Sequence, residues 1–202
     1  MAEVVSSPAA NISVPVGAFQ RRSLGWSGIK MVIATEAALF VFLLFCYYYY
    51  DVQLSGAWRP FEPEKLRLAL PNTAILLVSS VFVAAAEHAI KRNAKAFALV
   101  TLAIGIILGI LFVYIQSLEW ANKPFTLKSS LYGSLYYTIT GFHTAHVVVG
   151  IAALALAWVW TALGYFSARR HAGLIITSLY WHFVDAVWLA VFFTYYISPR
   201  LW

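Results

Sequence analysis

Five long apolar stretches, divided by short polar breaks, fill most of the chain. At 1.5 Å per helical residue, about 20 apolar residues cross a hydrocarbon core of about 30 Å. The stretches at about 28–50, 70–90, 96–118, 131–166 and 174–197 all reach that length. The pattern predicts an all-α integral membrane bundle of five transmembrane helices over 28–202, after a flexible tail and lead-in at 1–27. Pro71 falls near the first turn of the second helix, where a missing N–H costs nothing. Pro199 follows the fifth as a stop. The fourth stretch exceeds one crossing, so it should tilt or project into water through its Trp158-to-Phe166 end.

Composition removes the soluble alternative. Charged residues make up 11% of the chain, against roughly a quarter in soluble domains. The 14 Phe, 12 Tyr and 8 Trp suit interfacial belts and tight helix packing. The net charge of +6 is spread over separate loops, which suits anionic lipid headgroups and not nucleic acid. Cys46 is the sole cysteine, so no disulfide forms within the chain. The first twenty residues lack a charged segment followed by an apolar one, so no cleavable signal peptide is read there.

Basic loops set the orientation. With the N-terminus inside, the inner side holds Arg21, Arg22, Lys30, Lys91, Arg92, Lys95, Arg169 and Arg170. The outer side holds Arg59, Lys65, Arg67, Lys123, Lys128 and Arg200, with Asp51, Glu62 and Glu64 diluting its first loop. The expectation is N-terminus inside and C-terminus outside. Tyr47 to Tyr50, Trp120, Tyr195 and Tyr196 would then form an outer aromatic belt.

Against this apolar background, ionisable residues at membrane depth stand out, because an acid at a helix centre costs about 3 kcal/mol or more. Glu36 lies about eight residues into the first span and His182 about eight into the fifth, both roughly 12 Å deep. Asp185 is about one turn deeper. His143 and His146 of the fourth span lie about 8 to 12 Å from the inner side. These groups share one layer. His143 and His146 are three apart, as are His182 and Asp185, so each pair shares a helix face. The expectation is an internal polar network of Glu36, His143, His146, His182 and Asp185. Glu36 would bond to His143 or His146, and Asp185 to His182 or to a neighbouring backbone or hydroxyl group. Such a network either fixes helix register or marks function. Trp181 and Trp188, seven apart, line one stripe and are expected at the lipid interface.

Other features read as structural. An H-x-x-H pair can chelate metal, and bis-histidine haem ligation is conceivable, but His88 and His171 sit at segment ends and no H-E-x-x-H occurs. No metal or catalytic residue is assigned. Glu87 and His88, beside Lys91 and Arg92, suggest an interfacial ion cluster. Glu119 beside Trp120 reads as an interface anchor, and Asn72 with Thr73 as a cap. Ser79-Ser80 and the G-x-x-x-G of Gly105 and Gly109 read as close helix packing. No P-loop, Rossmann fingerprint or nucleophile elbow is present.

Taken in order, several motifs resemble subunit III of the haem-copper oxidases, and cytochrome c oxidase in particular. The run Tyr180-Trp181-His182-Phe183-Val184-Asp185-Ala186-Val187-Trp188 is similar to that family's last-helix signature. Tyr132-Gly133-Ser134, followed by Thr140-Gly141-Phe142-His143-Thr144-Ala145-His146-Val147, resembles its penultimate helix. Glu36 in Ala34-Thr35-Glu36-Ala37-Ala38-Leu39-Phe40 matches the family's intramembrane, carbodiimide-reactive glutamate. Leu70-Pro71-Asn72-Thr73 with Ser79-Ser80, and Leu108-Gly109 with Gln116-Ser117-Leu118-Glu119-Trp120, match the helices between. The matches are collinear from about Ile29 to Tyr196.

The resemblance implies a non-catalytic subunit of a terminal oxidase that reduces O2. It implies no redox cofactor in this chain, with haem and copper in partner subunits. It implies subunit I as main contact, subunit II and small subunits as further partners, and bound phospholipid. It also implies support for assembly, proton uptake and turnover stability of the catalytic subunit. Family members with seven helices have two more before the first one here, and five-helix members place this chain in a bacterial cytoplasmic membrane. Subunit III of a quinol oxidase and the accessory protein of nitric oxide reductase share the fold. Outside it stand an intramembrane metal or haem enzyme and a proton-coupled transporter. A transporter would favour inverted repeats and discontinuous helices, and neither is visible.

Overall fold

A computed structural model describes residues 24–55, 57–59, 64 and 66–201. The expectations for Arg21, Arg22, Glu62, Lys65 and most of the 1–27 tail lie outside the described residues. Five helices follow in order: α1 (Leu24–Gln53), α2 (Leu66–Lys91), α3 (Lys95–Ala121), α4 (Leu131–Ala162) and α5 (Ala172–Phe192). A π-helical turn at Phe193–Ile197 and a 3-10 turn at Ser198–Arg200 continue α5. Five spans, the last counted as Ala172–Arg200, are long and apolar enough to cross a membrane. The chain is an all-α integral membrane bundle.

Local chemistry sets the helix ends. Ser130 caps α4, its Oγ accepting from the Gly133 N–H at 3.0 Å. Helix α4 stops at Ala162, short of the expected Phe166, and its 32 residues still exceed one crossing. Gly164 adopts φ +81° and closes the helix, with Tyr165 N–H donating to Trp160 O at 3.0 Å and Gly164 N–H to Thr161 O at 3.0 Å. This is the glycine-terminated C-cap that only a residue without Cβ adopts cheaply. Asn93, at φ 58°, ends α2 in the same left-handed region, and its Oδ1 accepts from the Ala168 N–H at 3.0 Å. The α2–α3 and α4–α5 connections are thereby tied together at one end of the bundle, here the basic end. The α1–α2 and α3–α4 connections share the opposite, tyrosine end.

Helix α2 begins earlier than the apolar pattern indicates, so Pro71 and Asn72 lie inside it. Asn72 and Thr73 are not caps. Asn72 Nδ2 donates to Phe112 O of α3 at 3.3 Å, and Thr73 Oγ1 accepts from Trp188 Nε1 of α5 at 2.9 Å. Helices α2 and α3 make the most extensive pairing, with α4 and α5 packed against them. Helix α1 is a thin attachment: only Phe40 and Tyr47 are buried along it, and it touches chiefly α5 and α4.

Trp181 is the centre of the packing. Its indole is fully buried, and its Nε1 donates to Ser79 Oγ of α2 at 3.1 Å. A Cβ added at Gly109 of α3 would stand 2.7 Å from Trp181 Cη2, and one at Gly150 of α4 2.8 Å from its Cε3. The two glycines form the slot that holds the ring. A Cβ added at Gly105, one turn before Gly109, would stand 3.0 Å from Val83 Cγ2 of α2. The expected small-residue contact is therefore real. Without a water-driven hydrophobic effect between helices in lipid, such close van der Waals contact and interhelical hydrogen bonds carry association. Trp188 is also fully buried, against Phe112 at 4.9 Å between ring centroids. Both tryptophans therefore face the interior, correcting their expected place at the lipid interface. Their N–H groups find hydroxyls on α2, which a lipid-facing position would not supply.

Candidate functional site

The structure divides the five expected network residues into separate sites. Glu36 and His146 form a direct pair, Glu36 Oε2 standing 3.0 Å from His146 Nε2. It bridges α1 and α4 at the bundle edge, where the Glu36 side chain is 33% exposed and that of His146 15%. The other imidazole nitrogen fixes the proton count. His146 Nδ1 lies 2.7 Å from Phe142 O, a pure acceptor, so Nδ1 carries a hydrogen. The remaining contact to Glu36 then needs one shared proton. Either the acid donates to a neutral ring or an imidazolium donates to a carboxylate, and the pair is neutral overall in both forms. That suits a partly exposed position at membrane depth.

His143 does not join Glu36. It is fully buried, its Nε2–H donating to Val184 O of α5 at 3.2 Å. Its ring lies among Trp188 at 4.8 Å, Phe112 at 5.8 Å and Phe40 at 6.4 Å. Residues three apart on a helix differ by roughly 60° in direction. That angle is enough to send His146 to the α1 edge and His143 to the α5 core.

His182 and Asp185 do not bond to each other either. His182 Nδ1 pairs with Ser80 Oγ of α2, and its Nε2 lies 3.2 Å from Ser178 Oγ. Asp185 is buried, and neither carboxyl oxygen has a hydrogen-bond partner among the described residues. Ser80 Oγ is engaged by His182. The single network expected from depth is thus corrected to three polar contacts on different faces, with the Asp185 carboxyl in none of them.

A second polar centre, missed in the sequence, lies at the tyrosine end. Glu119 is buried and is not an interface anchor. Lys123 Nζ donates to Glu119 Oε1 at 3.1 Å and also to Glu64 Oε2. Tyr196 Oη donates to Glu119 Oε1, and Tyr132 Oη to Glu64 Oε1 at 3.2 Å. The Lys123 ammonium sits 4.8 Å from the Tyr136 ring centroid and 5.7 Å from that of Tyr196. Arg200 donates to Glu64 O at 2.5 Å and to Tyr196 O.

Part of the expected outer aromatic belt is internal, while Tyr49 is exposed and Tyr48, Tyr50 and Trp120 are half-buried. Tyr47, Tyr195 and Tyr196 are fully buried, Tyr195 lying 5.0 Å from Tyr47 and 5.1 Å from Tyr136. The π turn has Thr194, Tyr195 and Tyr196 buried in succession. Its wider winding shifts the inward face by a residue, which a regular helix would not do. At the basic end the expected ion contact is present, Lys91 Nζ lying 2.5 Å from Glu87 Oε1.

Known proteins supply the decisive comparison. The family model described as Cytochrome c oxidase subunit III matches residues 18–199. The chain belongs to the cytochrome c oxidase subunit III family. It is 34% identical over 176 residues to Cytochrome c oxidase subunit 3 of Formosania lacustris and to that of Danio rerio, covering 84% of this chain and 67% of each relative. The Homo sapiens protein of the same name is 32% identical over 176 residues. As a subunit III of a haem-copper oxidase, the chain is an integral membrane component of a cytochrome c oxidase complex. Its Glu36–His146 pair, Trp181 slot and Glu64–Lys123–Glu119 cluster all lie within the matched residues.

Proposed function

We propose that this subunit sustains assembly, proton uptake and turnover stability of the catalytic subunit and performs no redox step itself. Haem and copper belong to partner subunits in this reading. Subunit I is the main contact, subunit II and small subunits lie beyond it, and phospholipid covers the exposed faces. The membrane is the bacterial cytoplasmic one, with the N-terminus inside.

The observation that carries this reading is the Glu36–His146 pair: a proton-sharing couple at membrane depth, at an edge where α1 is thinly attached. A purely structural contact would be better protected, whereas a half-open neutral pair can exchange a proton with its surroundings without leaving a net charge in the membrane.

In the assembled oxidase, Glu36→Gln should leave haem content unchanged, slow proton uptake and shorten the catalytic lifetime under turnover. Proton uptake and the decay of oxygen consumption measure it. Full uptake and an unshortened lifetime would remove any functional role for the pair.

A further inference from the structure

We infer that Asn72, Gln116 and Glu119 enclose a buried binding site for ordered water between α2 and α3. The site goes beyond the role proposed for the Glu36–His146 pair and does not depend on it.

Asn72 and Gln116 lie at matching depth. Counted from Leu66 at the start of α2 and from Ala121 at the end of α3, each is about 8–9 Å in from the tyrosine end. The two meet at one carbonyl. Asn72 Nδ2 donates to Phe112 O at 3.3 Å, the oxygen that the Gln116 backbone N–H addresses in a regular α-helix. Glu119 follows Gln116 by three positions, on the same face of α3. Asn72 and Gln116 are fully buried, and Glu119 is nearly so. Among the described residues, Asn72 Oδ1, both amide atoms of Gln116 and Glu119 Oε2 have no hydrogen-bond partner. Turning the Asn72 amide does not cure this. Phe112 O only accepts, so it requires the NH2 group and leaves the oxygen over.

The protein donors beside these atoms are already spent. Trp188 Nε1 donates to Thr73 Oγ1 at 2.9 Å, and the Thr73 hydroxyl donates to Ala69 O at 2.8 Å. Trp120 Nε1 donates to Thr140 Oγ1 at 3.2 Å, and that hydroxyl donates to Tyr136 O at 2.6 Å. Tyr196 Oη donates to Glu119 Oε1, so Tyr136 Oη, 3.2 Å from Tyr196 Oη, donates to it. None of these hydrogens is left for Asn72 Oδ1, Gln116 Oε1 or Glu119 Oε2.

The mixture of atoms selects the ligand. Three are acceptors and one, Gln116 Nε2, is a donor. A metal cation would suit the oxygens but face the Nε2 hydrogens. An anion would suit Nε2 but face the Glu119 carboxylate. A direct amide pair, Gln116 Nε2 to Asn72 Oδ1, would still leave Gln116 Oε1 and Glu119 Oε2 bare. Water donates twice and also accepts, so it serves both kinds of atom. Buried waters typically make about three hydrogen bonds to polar groups that the protein leaves unpaired.

Electron cryomicroscopy of the intact oxidase complex, at a resolution that shows ordered water, tests this. Density should lie ~2.7–3.2 Å from both the Asn72 and Gln116 amides, with contact to Glu119 Oε2. Asn72→Leu and Gln116→Leu should each lose it, since each removes polar atoms that hold it. The parent map decides the matter even where a variant fails to assemble. No density between the amides, amides bonded directly to each other, or density that survives either replacement would overturn the inference. So would a peak touching oxygens alone at ~2.3–2.6 Å, the spacing of a bound cation.

Discussion

Trp181→Ala is expected to destabilise the bundle by about 3–5 kcal/mol, the range for removing a large buried aromatic. The ring is fully buried and joins three helices besides its own: Gly109 on α3, Gly150 on α4 and Ser79 on α2. Its removal leaves a void between two glycines that have no side chain to fill it. It also leaves Ser79 Oγ without its donor. Relaxation is limited because the slot walls are helix backbone. Unfolding of the purified subunit in mixed micelles, titrated with a denaturing detergent, measures the change. Trp181→Phe should cost less, since most of the volume stays and only the Nε1–H contact goes. An Ala variant as stable as the parent would show that the slot does not hold α2, α3 and α4 together.

Lys123→Met should cost a similar amount, about 3–5 kcal/mol, through a different mechanism. Among the described residues, Lys123 is the one cation shared by the Glu64 and Glu119 carboxylates, and the side chains of all three are less than a tenth exposed. Replacing it with an apolar chain of similar length preserves packing but strands two buried acids. The diagnostic result is recovery: Glu119→Gln added to Lys123→Met should regain part of the loss by removing one stranded charge. The two changes interact, so their effects should not add. Micelle unfolding of the single and double variants provides the comparison. Strict additivity would contradict the shared-cation arrangement.

The five spans were legible because length and apolarity alone set them, and depth counting brought Glu36 to His146. Counting failed where direction mattered. It grouped His143, His182 and Asp185 by depth but could not divide them among helix faces. The tryptophans were misplaced for a related reason. Their spacing gave a stripe, yet only the glycines at matching depth on α3 and α4 reveal that the stripe faces inward. Gly164 was a readable stop for α4, overlooked within an apolar run. The Glu64–Lys123–Glu119 cluster was hidden more deeply. Glu119 and Lys123 are four apart and could have been paired from the sequence. Glu64 comes from a connection nearly sixty residues away, and the π turn that brings Tyr196 to Glu119 leaves no plain mark in the composition.

The central claim is that the chain supports a redox partner without holding a redox centre. The most direct measurement compares the purified oxidase complex with and without this subunit, by visible spectrum and by the time course of oxygen consumption. Removal should leave the haem spectrum per catalytic subunit unchanged and shorten the active lifetime during turnover. Loss of a haem or copper signal along with the subunit would contradict the account.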